Sequence, residues 1–578
     1  MAVLLLFLLG LPVFAQPQYL PLRDVRAGQK GTGYTVFSGQ KVEPFDVEIL
    51  GVLENAGPKQ SIILGKLSGG PLAHTGVMQG MSGSPVYING RLIGAVALAF
   101  SFAKDPIAGI RPFEEMLEAK AVDRALRADV RRCLVEACEQ APLAVARPQI
   151  SLGEARLTEI ATPVSFSGFT QGTLDQFAPQ LRKLGLEPRQ GVTGGSQQRP
   201  ANANTTLRPG SMISVHLVNG DLSIGADGTV THIDGNRIYA FGHRFVSMGE
   251  VEMPFHTSDV LTLLPNMQTS FKISSSGGFL GTITHDYSAA VRGELGRQAR
   301  MVPVRIRVKS GPRVSNYAMQ MVHDSALTPF LLQMAVFSAL DSTERTIGSV
   351  AYSVKQNVQF ENAPPVDSSN VYSGEFNTAM LAAQSGAIPL AYAMQSGFRE
   401  LRIKDVNIEL EAFTGRKHWV VEDAYASRRS VRPGEAIALS VVLSNEGNRI
   451  VRTVSYRVPP STPAGALNFS VSDGPATNLT ELRNLVFVPP KSASQVQRLL
   501  GQLRPNTNAY VRVWRAENAY QSQGEDLPAP PPSVAQIFQR SQGQAALLNP
   551  SSKLAELEIA VGGAMVSGNK TVTVDVKE

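Results

Sequence analysis

Short runs of alternating apolar and polar residues dominate the first hundred positions of the chain. Examples are YTVFSG, FDVEILGVL and SPVYINGRLIGAVALAF, and in the last of these Asn89-Gly90 separates two alternating runs. Alternation with a period of two is typical of half-buried strands, and Asn-Gly between two such runs is a strong hairpin signal. The pattern therefore predicts a sheet of short strands up to about residue 110.

The hydrophobic period changes after Pro112. Apolar residues recur at helical spacing from Pro112 to about Glu139, which predicts an amphipathic helix. The polar stretch 193–210, rich in turn residues, predicts a linker or a surface loop. Alternation then returns with three Asn-Gly or Asp-Gly turn signals between residues 219 and 235, a pattern typical of a β-meander.

The second half of the chain shows two further patterns. Residues 301–416 mix strands with helical stretches near 327–341 and 376–396, which predicts an α+β region. Residues 417–500 alternate strongly between turn signals, as in an immunoglobulin-like sandwich, and 501–578 contain further β segments after a Pro-rich stretch.

Composition and charge narrow the classes of protein that fit. The chain has 578 residues, which at about 150 residues per domain corresponds to several structural units. The 51 Gly, 37 Pro and only 18% charged residues are typical of turn-dense β structure, and they argue against global disorder and coiled coil. The net charge of +6 comes from dispersed side chains without a long basic run, so we expect no nucleic-acid partner.

The N-terminal sequence MAVLLLFLLGLPVFA predicts a signal peptide. Its apolar run is short for a membrane span, Pro12 interrupts it, and Val13-Phe14-Ala15 fits the small-x-small pattern of a cleavage site. We therefore expect cleavage after Ala15 and export to the periplasm, cell envelope or extracellular space. No later segment reaches about 18 uninterrupted apolar residues, so no stable membrane span is expected after cleavage.

The two cysteines, Cys133 and Cys138, lie five positions apart. In an exported protein they form either a small-loop disulfide or two free thiols, and pairing requires a helix to end near them. Because the histidines are scattered without ligand spacing, the sequence predicts no metal site, and we expect no cofactor.

The hexapeptide GMSGSP at 80–85 is the main candidate for chemistry. A serine nucleophile needs a tight turn that projects its hydroxyl and directs two backbone N–H groups at the developing oxyanion. This hexapeptide supplies Ser82 as the nucleophile, with the amides of Gly80 and Ser82 as the oxyanion hole. The alternative is a Gly/Ser/Pro turn before a hairpin, because such short motifs are often fortuitous.

His243 is the candidate general base among the eight histidines. It follows an apolar strand directly in IYAFGHRF, where its ring can project from a barrel rim. The alternative is a buried structural histidine. His74 and His285 are weaker candidates, because His74 lies close to Ser82 on a polar loop and His285 lies in the turn THDYS.

Two blocks of the chain resemble the SpoIVB-type serine peptidases, a trypsin-like family named for stage IV sporulation protein B. The first block, about 42–117, contains TGVMQGMSGSPVYINGRLIGAVALAF, and the second, about 214–296, contains FGH and SSSGGFLGTI. In the family the His block precedes the Ser block, whereas here the order is reversed. The resemblance therefore implies a circularly permuted, trypsin-like double β-barrel, which is tolerable because the chemistry depends on spatial arrangement.

The third catalytic residue does not match the family. The resemblance implies an Asp about fifteen residues before the nucleophile, and in this chain Ser68 lies closest to that place. Ser68 itself and a carboxylate brought close by folding are the candidates for this role, and a Ser-His pair with an oxyanion hole can also act without a third residue. The candidate carboxylates are those of Asp46, Asp234 and Asp286.

Two functions from different classes follow. The first is an exported serine endopeptidase that cleaves itself or an envelope or extracellular protein, with protein or peptide as substrate. The second is a non-catalytic, peptidase-derived binding or scaffolding protein whose C-terminal half contacts an envelope partner. The intact serine and histidine motifs favour the first, and the missing Asp favours the second.

The corresponding division of the chain has seven segments. They are a signal peptide (1–15), a barrel half with the Ser motif (16–117), a helical insertion and linker (118–210), a barrel half with the His motif (211–300), an α+β region (301–416), an immunoglobulin-like sandwich (417–500) and a C-terminal β-containing segment (501–578).

Overall fold

The computed structural model of the chain is mainly β, as predicted, with its strands in five sheets. It describes residues 19–57, 60–118, 149–152, 155–191, 207–342, 350–479, 490–522, 525–528, 530–540, 547–549 and 551–578. The predicted signal peptide and both cysteines, Cys133 and Cys138, lie outside the described residues.

The first sheet contains eight strands in the order β4-β1-β2-β3-β6-β5-β8-β7. The strands are β1 (Lys30–Ser38), β2 (Lys41–Gly57), β3 (Gln60–Ser68), β4 (Pro85–Ile88), β5 (Arg91–Phe100), β6 (Ile107–Pro112), β7 (Gln149–Leu152) and β8 (Ala155–Glu159). Strand β4 also pairs with β5, so six strands follow one another in a ring. The ring closes unevenly, because β1 and β4 share only two register pairs.

The second sheet contains thirteen strands in the order β10-β9-β12-β13-β16-β15-β14-β11-β18-β17-β21-β19-β20. The strands are β9 (Thr162–Ser167), β10 (Leu186–Gln190), β11 (Met212–Gly220), β12 (Ser223–Asp234), β13 (Arg237–Ala240), β14 (Gly249–Leu264), β15 (Phe271–Asp286), β16 (Val291–Leu295), β17 (Met301–Ser310), β18 (Arg313–Val322), β19 (Val350–Phe360), β20 (Val366–Gly374) and β21 (Ile403–Thr414). Because β11 also pairs with β12, six of these strands form a second ring of pairings.

Helices cover parts of the sheets. In the described ranges the helices include α1 (Leu72–Thr75), α2 (Phe113–Glu118), α3 (Gln171–Lys183), α4 (Leu327–Asp341), α5 (Thr378–Gln395), α6 (Ala493–Gly501) and α7 (Pro532–Arg540), with 3-10 turns at Leu22–Asp24 and Arg399–Leu401. Residues 474–479 are also helical. The helices α4 and α5 coincide with the two helical stretches predicted in the α+β region. Both are apolar on most sides and are buried in one hydrophobic core with the second sheet.

The predicted hairpin after the GMSGSP hexapeptide is present. Strands β4 and β5 pair antiparallel, and the turn residues Asn89 and Gly90 have φ of 50° and 75°. Positive φ at both positions is what a type I′ turn requires, and Asn-Gly adopts it at low cost. This local turn chemistry explains why the sequence pattern located the hairpin correctly.

The segment predicted as a helical insertion and linker contributes strands to both sheets. Strands β7 and β8 extend the first sheet beside β5, whereas β9 and β10 form the outer edge of the second sheet, with α3 between them in sequence. These strands are short and separated by turns, so the alternation of apolar and polar residues in them is weak. The helical period of the preceding residues is the stronger signal in this segment. Of the helix predicted from Pro112 to about Glu139, the described residues contain α2, at Phe113–Glu118.

The C-terminal region contains the three remaining sheets. The strands are β22 (His418–Ala426), β23 (Ser430–Val431), β24 (Ala436–Asn445), β25 (Asn448–Arg457), β26 (Gly465–Asp473), β27 (Asn508–Arg515), β28 (Ala519–Ser522), β29 (Glu525–Pro528), β30 (Leu547–Asn549), β31 (Ser552–Ala560), β32 (Met565–Ser567) and β33 (Lys570–Val576). Strands from before and after residue 500 share one core, since Leu439, Phe469, Val511 and Val574 belong to the same buried cluster. The predicted division at residue 500 therefore does not separate two cores, and the immunoglobulin-like assignment stays a prediction.

The first two sheets are joined by backbone hydrogen bonds. Gly39 and Val260 bond each other in both directions, at 2.8 and 2.9 Å, and the amide of Gln79 donates to the carbonyl of Ser270 at 2.9 Å. These contacts bring the segment before Ser82 against strands β14 and β15. None of the helices in the described ranges has both the length and the apolar character required to cross a membrane.

Candidate active site

Ser82 lies in a tight loop, residues 78–84, which we call the serine loop. Gly80 and Gly83 have φ of 91° and 93°, a backbone conformation that favours glycine. A Cβ on Gly83 would overlap the carbonyl oxygen of Thr229 and lie 2.5 Å from the amide nitrogen of Phe241. Glycine is therefore required here both for the turn and for the close approach of the second sheet.

Within residues 80–84 of the serine loop, three amides are used by the fold and two are not. The amides of Met81, Gly83 and Ser84 donate to backbone carbonyls at 3.1, 2.8 and 2.9 Å. Among the described residues, the amides of Gly80 and Ser82 donate no hydrogen bond. Two alternate N–H groups are thus left for an acceptor that is not part of the loop, as the predicted oxyanion hole requires.

The carbonyl groups of the same loop are held by strand β12. The Thr229 hydroxyl donates to Gly80 O at 2.9 Å, the Thr229 amide donates to Ser82 O at 2.9 Å, and the Thr231 hydroxyl donates to Gly83 O at 2.7 Å. The peptide planes of the two unused amides contain the carbonyls of Gln79 and Met81, which accept from the amides of Lys272 at 3.3 Å and Ser84 at 2.9 Å. Strand β15 of the second sheet therefore sets the direction of the Gly80 amide, and the serine loop itself sets that of the Ser82 amide.

The Ser82 side chain is completely buried. Its exposed fraction is 0%, and its hydroxyl oxygen has no hydrogen-bond partner in the described part of the chain. The hydroxyl of Ser84 has the same two properties. An unpaired buried hydroxyl costs about 1–3 kcal/mol, and Ser82 and Ser84 share this property with Thr162, Ser167 and Ser552.

His243 lies on the loop that follows β13, residues 241–248, which we call the histidine loop. A Cβ on Gly242 would lie 3.2 Å from the carbonyl oxygen of Val96, the same oxygen that accepts the Gly83 amide at 2.8 Å. The serine and histidine loops therefore flank one carbonyl group of β5. The structure brings together two motifs that are about 160 residues apart in sequence.

The ring of His243 is completely buried and its orientation is set by the backbone. Nδ1 lies 2.6 Å from the carbonyl oxygen of Arg244. A carbonyl oxygen only accepts hydrogen bonds, so Nδ1 carries the proton and Nε2 is the basic nitrogen of the neutral ring. This is the tautomer that a general base requires.

Asp286 accepts hydrogen bonds from the backbone of the histidine loop. Its buried carboxylate accepts the amides of Phe245, Val246 and Met248 at 2.7, 2.8 and 3.2 Å. Burial raises the pKa of Asp286, and these backbone donors oppose that shift. The carboxylate thus acts on the backbone that follows His243.

Glu159 is a residue that the sequence reasoning missed. It lies at the end of β8, its side chain is buried, and one carboxylate oxygen lies 3.3 Å from Nε of Arg244. Its other oxygen has no hydrogen-bond partner among the residues described. The only signal available in the sequence was a charged residue at the end of a short β run, ARLTEI.

The other three candidates for the third catalytic position are exposed. Ser68 ends β3 and pairs with Asp46 across β2, and Asp234 ends β12. Water competes with a hydrogen bond from an exposed group, whereas the ring of His243 is fully buried. Of the four candidates for the third position, Asp286 is therefore the one whose side chain is buried, whereas Ser68, Asp46 and Asp234 are exposed.

The two weaker histidine candidates have other surroundings. His74 is exposed in the short helix α1. His285 is only partly buried, and its ring nitrogens lie 2.9 and 3.0 Å from the guanidinium of Arg292. In the described ranges, no cluster of three or more His, Cys, Asp and Glu side chains has the geometry of a metal site.

A cavity of about 830 Å³ lies elsewhere in the molecule. It is formed between β20, helix α5 and the start of the C-terminal region, with Asp367, Tyr372, Ile388 and Arg504 in its wall. Neither Ser82 nor His243 lines it. The candidate catalytic residues therefore lie on the serine and histidine loops, away from the wall of this cavity.

Residues 20–117 match the family model described as SpoIVB peptidase S55. The match includes the serine loop and the hairpin after it, so the resemblance to SpoIVB-type serine peptidases is confirmed for this part. It ends before the histidine loop, and the second block and the permuted order stay predictions. The chain matched no curated protein and no solved structure.

Proposed function

We propose, from the match of residues 20–117 to the SpoIVB peptidase S55 family, that the chain is an exported serine endopeptidase. Its substrate is itself or another protein of the cell envelope or the extracellular space. The observation that carries the proposal is the pair of unused amides, Gly80 and Ser82, in the segment 80–84, whose other three amides are all bonded.

The proposed reaction uses a Ser-His pair. The Ser82 Oγ attacks the scissile carbonyl carbon while its proton passes to Nε2 of His243, and the amides of Gly80 and Ser82 receive the negative oxygen. The proton then moves from His243 to the leaving amine as the C–N bond breaks. Water hydrolyses the acyl-enzyme by the same route and restores the Ser82 hydroxyl.

In this proposal the role of the family's Asp is divided between two groups. The Arg244 carbonyl orients the imidazole through its contact with Nδ1, and the Asp286 carboxylate holds the loop that carries this carbonyl. A backbone carbonyl fixes the tautomer but stabilises an imidazolium less than a carboxylate does, because it lacks a full charge. We therefore expect a slower peptidase than one with a complete triad.

One observation favours the second candidate function, a non-catalytic scaffolding protein with a partner in the envelope. Both Ser82 and His243 are fully buried, and a protein substrate cannot reach them without movement of the surrounding loops. The endopeptidase proposal therefore includes an opening step before substrate binding. A scaffold needs no such step.

The test is covalent labelling with a fluorophosphonate, which reacts with activated serine hydroxyls with loss of fluoride. We expect the purified protein to be labelled at Ser82, and Ser82→Ala and His243→Ala each to abolish labelling. Ser84→Ala is the matched control, because Ser84 is equally buried, also lacks a hydroxyl partner, and lies two residues away. It should leave labelling intact.

Two outcomes would overturn the proposal. A wild-type protein that remains unlabelled after prolonged exposure has no activated serine and would favour the scaffold. Labelling that persists in Ser82→Ala would place the reactive group elsewhere. Peptide mapping of the labelled protein by mass spectrometry separates these results.

A further inference from the structure

A lysine packs against Gly80, the residue that supplies the first amide of the candidate oxyanion hole. Lys272 is on β15, and a Cβ placed on Gly80 would lie 3.1 Å from Cδ and 3.4 Å from Cγ of this lysine. The Lys272 amide also donates to the carbonyl of Gln79 at 3.3 Å. Both its backbone and its methylene stem therefore support the peptide that enters Gly80.

The ammonium of Lys272 is buried at the junction of the first two sheets. The residue is 2% exposed, and Nζ donates to the hydroxyl of Thr35 on β1 at 2.8 Å. Thr35 is itself fully buried. An ammonium has three donors, and the Thr35 hydroxyl is the one partner that the described residues supply.

The carboxylate whose charge acts on Lys272 is that of Asp227 on β12. Its oxygens already accept hydrogen bonds from hydroxyl groups. Its two oxygens accept from Ser258 at 3.2 Å and Ser274 at 2.7 Å, and within the described ranges it forms no ion pair with Lys272 at 4.0 Å or less. Burial raises the pKa of Asp227, which favours its neutral form. The lysine charge is thus incompletely balanced.

Three other ionisable groups lie near this cluster. The guanidinium of Arg189, on β10, stacks on the ring of Phe271 and donates to the side chain of Gln79 at 2.8 Å. His216 and His256, on β11 and β14, stack at 4.2 Å, and burial lowers the pKa of both, to about 3 for His216. The histidines are therefore neutral above pH 7, and Arg189 keeps its charge.

We infer, on the basis of the proposed function, that Lys272 is a positioning residue of the peptidase site. Its stem fixes the peptide of Gly80, and its ammonium places positive charge behind the amide that receives the oxyanion.

The physical reason is the low dielectric of a buried site. A cation that is not neutralised by a close anion favours the negative charge of a tetrahedral intermediate more than it favours the neutral substrate. Burial also lowers the pKa of Lys272 from 10.5 to about 7, with Asp227 opposing the shift. The charge is therefore lost as the pH rises through about 7, and the reaction should slow in the same range.

The experiment is the pH profile of the fluorophosphonate labelling rate on the full chain. We expect the wild-type rate to fall on the alkaline side as Lys272 loses its proton. Lys272→Met should be slower by about tenfold at pH 6–7 and should lack the alkaline fall. Lys309→Met is the matched control, since this lysine lies on the surface and pairs with Glu411.

A second variant covers the event that Lys272→Met does not fold. Thr35→Val keeps the shape of the partner and removes the acceptor of the ammonium, so the alkaline fall should move to lower pH. If wild type is labelled and both variants reproduce its profile, the inference is wrong and the proposed function stands. If wild type is not labelled at any pH, the proposed function is wrong and the inference falls with it.

Discussion

The serine and histidine loops are stabilised in different ways. The serine loop takes its turn from residues within it, chiefly the positive φ of Gly80 and Gly83 and the hairpin that follows, and its carbonyls also accept from Thr229 and Thr231 of the second sheet. The histidine loop depends on carboxylates that are distant in sequence. Asp286 lies 41 residues after the first amide that it holds, and Glu159 lies 85 residues before Arg244.

The difference shows what a short motif encodes. A turn depends on the residues within it. The glycines and Asn89-Gly90 therefore predict turns directly from the sequence, because these residues adopt positive φ at low cost. The support of the histidine loop is not local, because the carboxylates that hold it come from β8 and β15. A loop of the first kind tolerates few changes within itself, whereas a loop of the second kind is sensitive to changes elsewhere.

The largest effect is expected from Gly83→Ala. The new methyl group would overlap the carbonyl of Thr229 and would require a left-handed backbone for a non-glycine residue. We expect a loss of about 4 kcal/mol or more in the free energy of unfolding, measured by urea denaturation, and no labelling of Ser82.

Gly90→Ala is the matched control for this change. Gly90 also has positive φ, 75°, but nothing lies within 4 Å of the position of its Cβ. Alanine at this position then costs only the free energy of a left-handed backbone, a loss of about 1 kcal/mol in the free energy of unfolding. Equal losses in the two variants would show that close approach of the sheets at Gly83 contributes nothing.

A smaller effect is expected from Asp286→Ala. The change leaves the amides of Phe245, Val246 and Met248 without their acceptor in a buried site. We expect a destabilisation of about 3 kcal/mol in thermal or urea unfolding. Because the Arg244 carbonyl would shift, the labelling rate should also fall by about a hundredfold.

Asp234→Ala is the control, since Asp234 is exposed at the end of β12. Its free energy of unfolding should change by about 0.5 kcal/mol or less. A normal labelling rate in folded Asp286→Ala would mean that the histidine loop keeps its shape without the carboxylate, and the contrast between the two loops would be lost.

Much of the candidate site was predictable, and the unpredictable part has a common cause. The sequence identified Ser82, Gly80 and His243, and it included Asp286 among four candidates for the third position. It did not identify Glu159, because a single charged residue in a short β run gives no sign of burial. It also could not show that a main-chain carbonyl contacts the imidazole, since every residue has one.

The fold follows the same rule. Strands with clear alternation and helices with long apolar stretches, such as α4 and α5, lie where the sequence placed them. The strands of 149–190 and the shared core of the C-terminal region were not foreseen, because strand pairing between distant segments depends on tertiary packing. The sequence thus located elements better than it located their partners.

The smallest effect is expected from Ser68→Ala, and this variant sharpens the comparison most directly. The resemblance implies that Ser68 lies closest to the place of the missing Asp, yet it is exposed at the end of β3, opposite Asp46. We expect the labelling rate to stay within about twofold of wild type, because an exposed hydroxyl orients a buried ring poorly. A tenfold loss, with unchanged unfolding, would instead assign the orienting role to the first sheet. The histidine loop would then depend on the serine half for its geometry, and the division of labour between Arg244 and Asp286 would be wrong.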